Sequence, residues 1–224
     1  MGGGPAPHAV LFDLDGTLVD TAPDLCNAVN HVLAGLGQPA VPLARLREVV
    51  SKGGRAMLAV ALPDLDEASR DALLPPFLAR YAEALAVDSA PFAGIPELLD
   101  ALDAHGVRWG IVTNKPEALA AGVVAGMGWS ARCAVLVGGD TLPQRKPDPT
   151  PLRLACERLG LAPAQVLYVG DDERDVQAAR AAGLPSAAAL WGYRLPGEDP
   201  TQWGADHAVA GAADLRAVAG LPPA

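Results

Sequence analysis

Several residue types are scarce in this chain, and each scarcity excludes something. Aromatic residues make up only 4% of the 224 positions, so Ala, Leu and Val carry most of the apolar half. Small aliphatic residues at that density suit helices packed on a parallel sheet. The three cysteines, Cys26, Cys133 and Cys156, stand far apart. An odd number without metal-ligand spacing argues against a disulfide framework or a zinc site and fits a reducing compartment. No basic run offsets the formal net charge of −9, so nucleic acid and anionic lipid are not expected as partners. No apolar run approaches the roughly 20 residues that span a membrane. Met1-Gly2-Gly3-Gly4-Pro5 has neither the basic start nor the apolar stretch of a signal peptide and reads as a flexible lead. A cytoplasmic protein, monomer or homodimer, is the expectation. Lysine is scarce as well. Only three of the 17 Lys and Arg residues are lysines: Lys52, Lys115 and Lys146, each beside Gly or Pro in a predicted loop.

What is present is a rhythm. Short apolar runs at 8–12, 107–112, 134–137, 165–169 and 186–190 each end in polar or glycine residues. Without polar alternation they read as strands buried on both faces. Helical stretches lie between them, over 96–105, 116–126, 151–160 and 175–183, several opened by proline and closed by glycine. A further small edge strand is expected after Trp203-Gly204-Ala205-Asp206-His207. Strand and helix in alternation predict a doubly wound parallel sheet. Residues 20 to about 88 break the rhythm with helical periodicity alone. The expected organisation is an α/β core over 1–18 and 90–224 with an inserted helical cap over 19–89. The crossings would lie near Leu18-Val19-Asp20 and Ala90-Pro91.

Ligands of open parallel sheets bind beyond the carboxyl ends of the strands. Three predicted strands deliver polar groups there: Asp13 and Asp15, Thr113 and Asn114, Asp171 and Asp172. Singly, such residues are ordinary turn or helix-capping groups. Together they place several carboxylates in one pocket, where they repel one another unless a cation intervenes. Oxygen ligands alone, with no clustered His or Cys, favour Mg²⁺ over zinc. An anionic ligand would then need Lys or Arg as well, and a lysine offers a compact point charge for phosphate.

Asp13-Leu14-Asp15-Gly16-Thr17-Leu18 resembles the first motif of the haloacid dehalogenase-like hydrolase superfamily. Ile111-Val112-Thr113-Asn114-Lys115 is similar to the second. Arg145-Lys146-Pro147-Asp148-Pro149 is similar to the third, and Gly170-Asp171-Asp172-Glu173-Arg174-Asp175 to the fourth. Order and spacing match along the chain, and a cap between the first two motifs is the arrangement of the phosphoglycolate phosphatase-like branch. The resemblance implies a Rossmann-like core and a Mg²⁺-dependent phosphatase acting on a small phosphomonoester. Asp13 would be the nucleophile and Asp15 the general acid and base. Thr113 and Asn114 would bind phosphoryl oxygens, with Lys146 balancing their charge. Asp13, Asp15 through its carbonyl, and Asp171 would hold the metal, backed by Asp175, with Asp172 less defined in role. In the cap, the glycine-rich Ser51-Lys52-Gly53-Gly54-Arg55 would select substrate, through Gly54 and Arg55 or Lys52; the plain alternative is a turn between helices.

The overall pattern resembles the phosphoglycolate phosphatases most, while the resemblance alone leaves the substrate open. Gly53-Gly54-Arg55-Ala56 and the Trp191 to His207 segment also resemble N-acetylmuramic acid 6-phosphate phosphatases. Asp at position 15 favours phosphatase over carbon–halogen chemistry, where a Tyr stands, and no extra cap acid supports a sugar-phosphate mutase. A receiver-type phosphoacceptor domain would be about half as long and would lack the second Asp. A non-catalytic phosphate binder would be expected to have lost Asp13 or Asp15.

Overall fold

A computed structural model describes residues 6–223; Met1–Pro5, expected to be flexible, and Ala224 lie outside the described residues. Six parallel strands form one sheet in the order β5-β4-β1-β6-β7-β8. These are β1 (Ala9–Phe12), β4 (Arg108–Val112), β5 (Leu136–Val137), β6 (Val166–Gly170), β7 (Ser186–Ala189) and β8 (His207–Val209). Each predicted run forms a strand, and the expected edge strand is β8.

β1 lies at the centre because it is buried on both faces. Val10 and Phe12 point into a cluster with Ile95, Leu99, Val123 and Leu215, from α5 (Ile95–Ala104), α6 (Glu117–Gly126) and α9 (Ala212–Val218). Ala9 and Leu11 point the other way, against Leu152, Cys156 and Ala179 of α7 (Thr150–Leu159) and α8 (Glu173–Ala182). Successive side chains of a strand face opposite sides, so four apolar residues in a row serve two cores at once. The result is three layers, helix on sheet on helix.

Between β1 and α5 the chain forms α1 (Ala22–Gly35), α2 (Leu43–Arg47), α3 (Gly54–Ala61) and α4 (Glu67–Ala82). These helices bury their own cluster, with Val29, Leu46, Met57, Phe77 and Tyr81. The chain leaves and returns through a two-stranded antiparallel ribbon, β2 (Val19–Asp20) with β3 (Ala90–Pro91), paired Val19 to Pro91 and Asp20 to Ala90. Both expected crossings therefore lie side by side. Buried Asp24 fixes the return by accepting the backbone N–H groups of Val87, Asp88 and Ser89 at 2.9–3.0 Å.

All four helix starts shift from the sequence reading, α5, α6 and α7 by one residue and α8 by two. α8 begins at Glu173, because Asp172 caps it and Asp175 accepts the Asp172 N–H in return, a reciprocal capping box. α6 begins after Pro116, and Asp140 rather than Thr113 or Asn114 receives the Glu117 N–H at 2.7 Å.

Candidate active site

The order β4-β1-β6 makes Thr113, Asp13 and Asp171 neighbours, since each follows the last residue of its strand. The Asp13 N–H donates to Val169 O and the Thr113 N–H to Val137 O, both at 2.9 Å, so the ladder carries the site backbone. Carboxylate oxygens of Asp13, Asp171 and Asp175 all lie within 4.8 Å of one another. All three residues are buried. Acidic groups from segments more than a hundred residues apart thus share one small volume.

One ammonium threads this cluster. Lys146 Nζ lies 3.1 Å from Asp13 Oδ1 and 2.6 Å from Asp175 Oδ1, and it donates to the Tyr168 hydroxyl at 2.8 Å. Burial pushes the Asp13 carboxyl up to about 6 against the pull of Lys146, with Asp175 and Asp15 adding to the rise. Burial, and then Asp13 and Asp175, push Asp171 well above the usual carboxylate range. Asp171 is held by Thr17 Oγ1 at 2.8 Å, Ser51 Oγ at 2.9 Å and the Tyr193 N–H at 2.9 Å, all neutral donors. Three buried carboxylates around a single ammonium leave negative charge in excess. A hard divalent cation with oxygen ligands fits that donor set.

Asp15 stands apart from this acid cluster. Its carboxylate takes Lys115 Nζ at 2.9 and 3.2 Å and the Thr21 hydroxyl at 2.5 Å. The Lys115 side chain is 6% exposed, with its ammonium 4.4 Å from the centroid of the Tyr81 ring. A cavity of about 380 Å³ opens over these groups, lined by Asp13, Asp15, Thr113, Asn114 and Lys146 from the sheet side. Leu25, Val50, Met57, Leu74 and Phe77 of the helical segment face them across it.

A model of the haloacid dehalogenase-like hydrolase family matches residues 10–189. The chain belongs to that family. It is 58% identical over 200 residues to a phosphoglycolate phosphatase of Xanthomonas campestris pv. campestris (strain 8004), covering 89% of this chain and 90% of that protein. It is 48% identical over 199 residues to an N-acetylmuramic acid 6-phosphate phosphatase of Pseudomonas aeruginosa, covering 88% of each. Among solved structures, a predicted phosphoglycolate phosphatase from Haemophilus somnus 129pt superposes with a TM-score of 0.84 at 29% identity, covering 94% of this chain and 97% of that one.

Within this family member, three expected contacts take a different form. The Asn114 side chain was expected to face phosphoryl oxygens. Its amide instead donates to Lys146 O at 2.9 Å and accepts from Lys146 N at 3.0 Å, so it positions the lysine. Arg55 lies at the cavity, but its guanidinium pairs with Asp71 at 2.7 Å and its side chain is 68% exposed. Lys52 is tied to Asp172 and Glu198, each at 2.8 Å. Asp172 is thereby held between Lys52 and Arg174. Burial works to raise its carboxyl, but hydrogen bonds from Arg174 and Lys52 win and hold it at about 2. Arg174 also donates to the Ser51 carbonyl. Gly54 packs where a Cβ would come within 2.8 Å of Phe77, so the glycine is required by contact with α4.

Other groups carry signals that only the fold makes legible. A Cβ on Gly16 would meet Asp171 Oδ2 at 2.1 Å, and one on Gly192 would meet Asp171 Cβ at 2.1 Å. The Trp191-Gly192-Tyr193 segment therefore closes over Asp171. It also ties down the ribbon and its approach: Trp191 Nε1 donates to Thr17 O at 3.0 Å and the Tyr193 hydroxyl to Asp20 at 2.7 Å. Lys115 had one sequence-level signal, its rarity.

Proposed function

We propose that this hydrolase removes phosphate from 2-phosphoglycolate, with Asp13 as nucleophile. It is a phosphoric monoester hydrolase, the class its family and its phosphatase relatives support. One observation carries the mechanism: Lys146 Nζ lies 3.1 Å from the Asp13 carboxylate at the floor of a cavity that also receives Asp15 and Thr113. An Asp13 oxygen attacks phosphorus, the ester P–O bond breaks, and an aspartyl-phosphate forms. Asp15 gives its proton to the departing alkoxide, then takes one from the water that cleaves the acyl phosphate. The Thr113 hydroxyl donates to a phosphoryl oxygen, and Lys146 offsets the charge that nucleophile and phosphate bring together. Asp175 and the Asn114 amide hold Lys146 in place. Mg²⁺ held by the carboxylates of Asp13 and Asp171 and the Asp15 carbonyl would supply further positive charge toward the phosphoryl oxygens.

In this reading, residues 19–89 act as a cap over a core of 1–18 and 90–224, and Ser51, Lys52, Thr21 and Tyr81 are among its contacts with the core. Three free cysteines and the absence of a helix long and apolar enough to cross a membrane, among the described residues, favour a cytoplasmic enzyme. A second reading, N-acetylmuramic acid 6-phosphate as substrate, is favoured by the Pseudomonas relative and by a cavity of about 380 Å³, ample for a two-carbon ester. A panel of 2-phosphoglycolate, N-acetylmuramic acid 6-phosphate and p-nitrophenyl phosphate, assayed with Mg²⁺, decides between them. The highest kcat/KM is expected for 2-phosphoglycolate; a higher value for the amino-sugar ester reverses the assignment.

A further inference from the structure

The helical segment brings one polar atom to the cavity that the fold leaves unanswered. Tyr81, at the C-terminal end of α4, is 1% exposed and lines the cavity. Its hydroxyl is the one buried side-chain nitrogen or oxygen without a hydrogen-bond partner among the described residues. Buried polar groups are nearly always paired, because leaving one unpaired is costly. Under the cavity wall, such a hydroxyl is an unspent donor within reach of a ligand that displaces the wall. Burial pushes the phenol up to about 12 despite Lys115 nearby, so it keeps its proton at neutral pH.

Lys115 stands beside it. The ammonium sits over the ring face, close enough to act on the phenol, and its two short hydrogen bonds go to Asp15. Three N–H donors on an ammonium leave it capacity for a further acceptor. The surrounding wall is hydrocarbon, from Leu25, Met57 and Leu78. A phenolic donor and a cation set in an apolar wall suit an anion, and two donors side by side suit the two oxygens of a carboxylate. Position narrows the choice. Lys115 Nζ is 2.9 Å from Asp15, the group that would protonate the leaving oxygen. Substituents next to that oxygen therefore come up against Lys115 and Tyr81.

We propose that Lys115 and Tyr81 form the subsite for a carboxylate on the leaving alcohol and select phosphate esters of short 2-hydroxy acids. This inference rests on the phosphatase reading above and deepens it. Lys115 would then stand between Asp15 and the substrate carboxylate, much as Lys146 stands between Asp175 and the nucleophile.

Tyr81→Phe removes only the oxygen, and because that oxygen has no partner the melting temperature should not fall. The test compares 2-phosphoglycolate with 2-hydroxyethyl phosphate, which is of equal length but has a neutral hydroxymethyl group in place of the carboxylate. The ratio of their kcat/KM values should drop about tenfold in Tyr81→Phe, through KM, as expected for losing one hydrogen bond to a charged group. Inhibition of p-nitrophenyl phosphate hydrolysis by glycolate should weaken in parallel. Lys115→Met should lower the same ratio further, whatever it does to turnover through Asp15. If the wild-type enzyme hydrolyses 2-phosphoglycolate and Tyr81→Phe leaves the ratio unchanged, the subsite is wrong and the phosphatase reading stands. If the wild type hydrolyses p-nitrophenyl phosphate but not 2-phosphoglycolate, the substrate reading fails and takes the subsite with it.

Discussion

Lys146 and Arg55 both line the cavity, from opposite sides. On the sheet side, Lys146 touches Asp13, Asp175 and the Tyr168 hydroxyl and is 4% exposed. On the helical side, Arg55 meets Asp71 alone, with its side chain 68% exposed. The sheet side is a closed polar network in which each group fixes another, which raises the cost of removing any member. The helical side is mostly hydrocarbon, with a few cations directed elsewhere. Chemistry concentrated in one wall and shape in the other means that substitutions should differ sharply in effect according to the wall they strike.

The largest effect tests the sheet side. Asp13→Asn should lower phosphate release from p-nitrophenyl phosphate by more than about a thousandfold while the fold persists. The same change should stabilise the metal-free protein. The folded carboxyl titrates near 6 against 3.8 for the free group, so the folded state binds the extra proton between those values and loses stability as pH rises through them. By pH 7 the ionised form costs on the order of 3 kcal/mol. Thermal unfolding in EDTA should show Asp13→Asn melting above the wild type at pH 7, with the gap closing below pH 4. A gap independent of pH would place the strain elsewhere.

Next comes Lys146→Met, which leaves Asp13 and Asp175 facing each other without their cation. Breaking a buried ion pair by removing one member costs about 3–5 kcal/mol. Urea denaturation should register a loss of that size together with lost turnover. A small loss would mean that water already reaches the pair and that the sheet wall is less closed than its burial implies.

The smallest effect is expected on the opposite wall. Arg55→Ala should change KM for 2-phosphoglycolate by less than about twofold, since an exposed ion pair contributes little. A rise in KM for that substrate alone would return Arg55 to the selecting role expected from sequence and blur the contrast between the walls.

The same contrast governs what could be read before the fold was known. β1, β4 and β6 are apolar runs buried on both faces, and such runs advertise both their own position and the polar residues at their tips. Asp13, Thr113 and Asp171 were legible for that reason. The sequence also marks a change of periodicity at Val19 and again at Pro91, where β2 pairs with β3. Contacts made by side chains across the cavity were not legible. Nothing local to Ser51 indicates that its hydroxyl reaches Asp171, 120 residues away. Nothing local to Asn114 shows that its amide serves the Lys146 backbone rather than a phosphoryl oxygen. Tyr81 looks like any apolar helix residue until its hydroxyl is seen to lack a partner. Pattern registers burial and period; it is blind to which of several donors within reach a given acceptor takes.

The scarcity of lysine has a practical consequence for the folded molecule. Lys52, Lys115 and Lys146, the only lysines in the chain, all line the same cavity, with side-chain exposures of 25%, 6% and 2%. An amine-directed reagent therefore has, apart from the terminal amine, no lysine on the outer surface to consume it. Mass-spectrometric labelling would report on the cavity itself, with Lys52 reacting first and the two deeper amines more slowly, in the order of their exposure. The cavity carries a built-in reporter of its own accessibility, legible without attaching any probe.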